Sequence, residues 1–134
     1  MSGKVSNYIV HNKAVYLVLY HVIWAPKYRR GLLIGEIKNR LEEIIKEVCC
    51  ERGITIKAFK VMPDHVNLFI SSNPREAPYK IVKALKGRSS NLLRKEFPEL
   101  LKMPTLWTRS YFISTIGGIS EKTVKRYIEQ QWKK

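Results

Sequence analysis

The sequence predicts an α+β fold of the ferredoxin-like kind: a four-stranded antiparallel sheet with helices on one face, plus a further helix at the C-terminus. Apolar runs of strand length alternate with amphipathic stretches of helix length. Their order is strand, helix, strand, strand, helix, strand, helix, and the first six make a split βαβ arrangement. A chain of 134 residues, 45% apolar and 27% charged, suits one compact domain over 1–134.

Residues 1–14 are polar and irregular and read as a loose arm. Residues 15–24, Val-Tyr-Leu-Val-Leu-Tyr-His-Val-Ile-Trp, form an unbroken β-branched and aromatic run, as expected of a central strand buried on both faces. Ala25-Pro26 ends it. Over 36–51, Ile37, Leu41, Ile44, Ile45 and Val48 recur at helical spacing, and Gly53 stands where a helix C-terminal glycine belongs. Strands follow at 54–62 and 65–71, joined tightly at Pro63-Asp64 as a hairpin. A helix over 79–97 turns Ile81, Val82, Leu85, Leu92 and Leu93 inward and Lys80, Lys83, Lys86, Arg88, Arg94 and Lys95 outward. A fourth strand is expected over 106–115. Gly117-Gly118 breaks it, and Ser120 can cap a last helix at 121–132.

Charge narrows the partners. Lysine and arginine number 25 against 11 acids, a formal +14. Such a surface favours a polyanion, because each neutralised phosphate releases a counterion; a lysine-rich thermophilic surface is the competing account. No apolar stretch approaches the roughly 20 residues of a membrane span, and the N-terminus has no leader pattern. Cys49 and Cys50 are adjacent, and no Cys-x-x-Cys occurs, which argues against a disulfide and a structural zinc site. The expected location is the cytoplasm, with the nucleoid.

Two pairs of residues could carry chemistry. Strand alternation puts His65, Asn67 and Phe69 on one face and Val66, Leu68 and Ile70 on the other. The apolar trio suits the helix-covered core, so the polar pair projects to the opposite, open face. In the last helix Tyr127 and Gln131 are four residues apart and stack one above the other. Spacing alone leaves the ordinary readings open: a hydrogen-bonding strand histidine and a packed helix tyrosine.

Met62-Pro63-Asp64-His65-Val66-Asn67-Leu68-Phe69-Ile70 resembles the signature of the HUH transposases of the insertion-sequence 200/605 family, in which two histidines flank a bulky apolar residue. The likeness continues in order at His21–Arg30, Leu85–Ser90, Trp107–Phe112, Ser114–Gly118 and Val124–Gln131, nearly the whole chain. It implies a transposase that cleaves and rejoins single-stranded DNA through a 5′-phosphotyrosine intermediate and recognises subterminal hairpins.

By this resemblance Tyr127 is the nucleophile, and His65, position 67 and Gln131 hold a divalent cation. Position 67 departs from the pattern, being asparagine, and neither other histidine, His11 or His21, lies at the motif spacing. The amide oxygen of Asn67 still suits a hard cation, Mg²⁺ or Mn²⁺. With neutral ligands throughout, the scissile phosphate would have to supply the negative charge. The resemblance also implies a homodimer, with the tyrosine helix crossing to the partner at a hinge, Gly117-Gly118. DNA is expected on Lys27, Arg29, Arg30, Lys83, Lys86 and Arg88, with Tyr28, Trp107 and Tyr111 stacking on bases. The rival readings are a non-catalytic RNA-binding module on the same sheet, a host-tamed or replication-initiating tyrosine enzyme, and a decayed transposase.

Overall fold

The computed structural model describes residues 9–11, 14–16, 18–73 and 75–116. In chain order these form β1 (Ile9–His11), β2 (Ala14–Tyr16), β3 (Leu19–Trp24), α1 (Gly35–Glu51), β4 (Thr55–Met62), β5 (His65–Ser71), α2 (Pro78–Glu96) and β6 (Phe112–Ile116). The helix expected at 121–132, with Tyr127 and Gln131, and the glycines 117 and 118 lie outside the described residues.

β3 to β6 make one antiparallel sheet in the order β4-β5-β3-β6, the ferredoxin-like order. The alternation read in β5 holds. Val66, Leu68 and Ile70 join Tyr20, Val22 and Trp24 of β3 in a core closed by Leu41, Ile44 and Ile45 of α1 and by Ile81, Val82 and Leu85 of α2. Gly53 follows α1 with φ +68°, a left-handed conformation open to glycine at little cost. α2 begins at Pro78, whose missing N–H needs no partner in a first turn. Arg40 ties α1 to the end of α2 through both Glu96 oxygens, at 2.8 and 3.2 Å.

Two expected strands are divided. The run 15–24 is not one strand: Ala14–Tyr16 pairs with Ile9–His11 in a separate two-stranded sheet, and the central strand starts at Leu19. The expected arm therefore contains a strand. An apolar run marks β propensity but not which partner each part takes.

The run 106–115 divides as well. Trp107 bridges Pro26, with Lys27 N–H donating to Leu106 O at 2.8 Å and Thr108 N–H to Ala25 O at 2.9 Å. The ladder resumes only where Phe112 pairs with Ile23. Between the two pieces, residues 108–110 turn their carbonyls to the Lys86 ammonium, at 2.6 Å for Thr108, 3.2 Å for Arg109 and 3.5 Å for Ser110. Trp107 is buried, meets Trp24 edge-on and donates to Ser89 Oγ at 3.0 Å. It is a core residue, not the base-stacking surface expected of it.

Replacing Leu68, wholly buried at the centre of β5, by alanine is expected to destabilise the domain by about 2–5 kcal/mol in urea-unfolding measurements.

Candidate active site

The sheet face turned away from α1 and α2 carries His21 and Ile23 from β3, His65, Asn67 and Phe69 from β5, and Lys60 from β4. The register fixes this: His21 pairs with Phe69, Ile23 with Asn67, and Lys60 with Asn67 from the other side. The centre of the face is not open as expected. Asn67 and Phe69 are wholly buried, His21 is 1% exposed and His65 5%. The His21 ring contributes to this closure, reaching diagonally to Asn67 while meeting the Phe112 ring edge-on at 5.9 Å.

His65 opens β5 immediately after the Pro63-Asp64 turn. Its Nδ1 lies 2.7 Å from Asp64 Oδ1. A carboxylate only accepts, so Nδ1 carries the proton and Nε2 the lone pair. This is the arrangement that orients histidine toward a metal ion. Asp64 also pairs with Arg29 at 3.1 Å. Partial burial pushes the Asp64 carboxyl up, but the His65 hydrogen bond and the Arg29 charge outweigh it and hold the group below its ordinary value.

Arg29 is delivered by a short 3-10 turn in which Tyr28 and Arg29 both take positive φ, 60° and 51°. Such conformations cost non-glycine residues of order 1 kcal/mol or more and persist where surrounding contacts impose them. The turn leaves Tyr28 largely exposed, with Lys27 and Arg30 near its ring. Beside His65 lies a cavity of about 360 Å³, walled by Arg29 and by the 108–112 excursion through Thr108, Ser110, Tyr111 and Phe112.

The described residues thus bring His65 and Asn67 onto one face, as read from the alternation. They add Lys60, which the sequence reading did not name, and His21, which it set aside for lying off the motif spacing. His21 Nε2 donates to the Asn67 amide oxygen, and burial pushes the His21 imidazole below its ordinary pKa, outweighing that bond. Lys60 stands exposed beside Asn67 in the ladder. Its signal was present in the alternation of β4; that of His21 was hidden in a run apolar on both faces.

For a divalent cation, His65 Nε2 is a fitting donor. Among the described residues no group of three or more His, Cys, Asp and Glu gathers to hold one.

The basic residues divide by their partners. Arg88 is held by both Glu51 oxygens at 2.7 and 3.1 Å, and Lys86 by the 108–110 carbonyls and the Tyr111 ring. Burial lowers the Lys86 pKa. Lys83 is exposed on α2, lining shallow clefts with Tyr79 and Gly87. No helix among the described residues is long and apolar enough to cross a membrane.

Comparison with known proteins places the chain in a family. The family described as "Transposase IS200 like" matches residues 14–131. The ISDra2 transposase TnpA of Deinococcus radiodurans is 37% identical over 120 residues, which are 87% of this chain and 86% of the relative. The transposase for insertion sequence element IS200 of Salmonella typhimurium is 29% identical over 115 residues, 84% of this chain and 75% of the relative. A crystal structure assigned to a transposase from Deinococcus radiodurans superposes with a TM-score of 0.76 at 35% identity, covering 92% of this chain and 97% of its own. A REP-associated tyrosine transposase bound to a REP hairpin shares the fold at TM-score 0.59 and 15% identity, over 83% of this chain and 62% of its own. In fold, in the order of its motifs and by these matches, the chain belongs to the IS200-like transposase family.

Proposed function

We propose that this transposase cleaves and rejoins single-stranded DNA through a covalent 5′-phosphotyrosine intermediate on Tyr127, dependent on a divalent cation at His65. The observation that carries the reading is the Asp64-held orientation of His65, on a sheet face beside a cavity walled by residues of the family's motifs.

His65 and Gln131 would hold the cation, with Asn67 as the third position. Bound there, Mg²⁺ or Mn²⁺ would draw negative charge from the phosphoryl oxygens of the scissile linkage. The protein's own part is to orient and to attack. Asp64 fixes the His65 tautomer, and Arg29 fixes Asp64. The Tyr127 oxygen forms the new bond to phosphorus. The bond from phosphorus to the 3′ oxygen of the neighbouring nucleotide breaks, and that oxygen leaves with the bonding pair. The phenolic proton passes through solvent to the leaving oxygen, giving a free 3′-OH. A phosphodiester is replaced by a phosphodiester, so rejoining by the reverse step needs no nucleotide triphosphate. This agrees with the lack of a phosphate-cradling glycine motif in the sequence.

The substrate is read as single-stranded DNA with a subterminal hairpin. The REP-hairpin complex of a protein sharing the fold is consistent with this. Lys27, Arg29, Arg30, Lys83, Lys86 and Arg88 are the proposed contacts. Lys27, Arg30 and Lys83 are the cations readiest to meet phosphate, whereas Lys86 and Arg88 would first have to leave protein partners. The chain is read as acting in a homodimer, with Gly117-Gly118 as the hinge that lets the Tyr127 helix serve the partner's site, in the cytoplasm with the nucleoid.

Tyr127→Phe is expected to abolish the protein–DNA adduct seen on denaturing gels with Mn²⁺ while leaving hairpin binding intact. Residual adduct would remove Tyr127 from its role. Mixing Tyr127→Phe with His65→Ala protein is expected to restore cleavage if sites are shared between subunits, and to leave both inactive if each chain is self-contained. Lys83→Ala is expected to reduce the salt dependence of DNA binding by about one counterion. Lys86→Ala is expected to lower thermal stability as well, since its ammonium also holds the 108–110 carbonyls.

A further inference from the structure

The excursion between Trp107 and β6 parts two cavities. One, of about 450 Å³, is lined by Tyr79, Lys83 and Lys86 of α2; the other, of about 360 Å³, by Arg29 and His65. Thr108 and Tyr111 border both, and Ser110 borders only the second. Lys86 stands on the first side and draws three successive carbonyls toward itself, those of Thr108, Arg109 and Ser110. The described peptide bonds are all trans, and in a trans unit the N–H points opposite to the C=O. The N–H groups of Arg109, Ser110 and Tyr111 are therefore turned away from Lys86, to the side of the His65 cavity. Among the described residues none of the three donates to a protein acceptor.

Successive N–H groups facing one way form an anion site without any charged side chain. Two features strengthen this one. The Lys86 ammonium pulls electron density toward the carbonyl oxygens, which makes the N–H at the other end of each peptide unit a better donor. The cavity wall carries Arg29 and His65, and none of its lining residues is acidic. Arg29 shares its charge with Asp64, so the amides rather than that guanidinium are the anion's main partners. Backbone N–H groups bind phosphate oxygens and read no base. Such a site sets where a nucleic-acid strand lies, not which sequence it has.

Resting on the single-stranded DNA reading above, we propose that the backbone N–H groups of Arg109, Ser110 and Tyr111 bind one phosphodiester of the strand that leads to the scissile linkage, and that Lys86 holds them in place from behind. The bound phosphate fixes how far along the strand the nucleotide beside His65 lies. Lys86 is here a positioning residue. It acts through the peptide units it holds, and serves the strand without leaving its protein partners.

The test uses the full chain carrying Tyr127→Phe, which keeps the DNA uncut, with Mg²⁺ and a hairpin oligonucleotide that has an adjoining single strand. Amide ¹H and ¹⁵N shifts are followed by NMR during the titration. The ¹H resonances of Arg109, Ser110 and Tyr111 are expected to move downfield on binding, as amides donating to phosphate do. In a second set, each single-strand phosphate in turn is replaced by a neutral methylphosphonate, and affinity is read by fluorescence anisotropy. One replacement is expected to weaken binding by about 10-fold, the scale of a hydrogen bond to a charged group. Ser110→Pro, which lacks the N–H, should bind the natural strand and that methylphosphonate equally to within about 2-fold. Lys86→Met should shrink the same penalty and leave those at the other phosphates unchanged. Unmoved amide resonances in the saturated complex, or an equal penalty in Ser110→Pro, overturn the proposal while leaving DNA binding standing. An undiminished penalty in Lys86→Met removes Lys86 from its role. Failure to bind the hairpin oligonucleotide at all overturns both readings. The titration needs no change at 109–111, so it decides the matter even if Ser110→Pro folds poorly.

Discussion

The pairing of β3 with β5 is the constraint on which both core and site depend. Six consecutive cross-strand pairs, from Leu19 with Ser71 to Trp24 with Val66, set which side chains face the helices. They bury Val22, Trp24, Leu68 and Ile70 on one side and bring His21, Asn67 and His65 together on the other. The side-chain period of a strand is two, so a slip of one residue would exchange the two faces of β5 at once. It would place Leu68 among the polar groups and Asn67 under α1 and α2. The hydrophobic effect that holds the domain together therefore also holds the register of its chemistry. The hydrogen bond between His21 and Asn67 exists only in that register.

What the sequence disclosed follows from which signals are local. In β5 polar and apolar residues alternate, so both faces could be read without coordinates. The helices announced themselves through Leu41, Ile44, Ile45 and Val48 and through Ile81, Val82 and Leu85, all buried at the expected spacing. β3 gave no such alternation, because Leu19 and Ile23 flank His21 and make its second face largely apolar too. The face taken by His21 depends on its pairing with Phe69 of a distant strand, and spacing along the chain has no access to that. The division of 106–115 was equally hidden. There the carbonyls of 108–110 meet Lys86, more than twenty residues earlier. The burial of Trp107 likewise depends on Ser89 being small enough to accept its indole N–H. Tyr127, Gln131, Gly117 and Gly118 rest on motif resemblance and lie outside the described residues.

The acidic side chains engage particular arginines rather than the basic residues as a whole. Glu43, Glu47 and Glu96 gather on Arg40, Glu51 on Arg88, and Glu76 on Arg52, so these acids clamp the helices to each other and to the loops. Exposed pairs of this kind contribute little stability singly. Their larger effect is to withdraw particular arginines from the surface field and leave the lysines to set it. Asp64 is used differently. It neutralises Arg29 beside His65 and at the same time selects the proton position on that ring, joining the basic turn at 27–30 to the ligand nitrogen through one carboxylate.

The irregularity in β4 bears on how copies of this chain can meet. Between Ile56 and Ala58 the register with β5 shifts, with Lys57 as the extra residue of the ladder, and Lys60 stands exposed further along. β4 is one outer margin of the sheet, where unpaired backbone groups would otherwise recruit a strand from another molecule. A kinked margin carrying ammonium groups resists that recruitment. Continuous sheets built through β4 are thereby disfavoured.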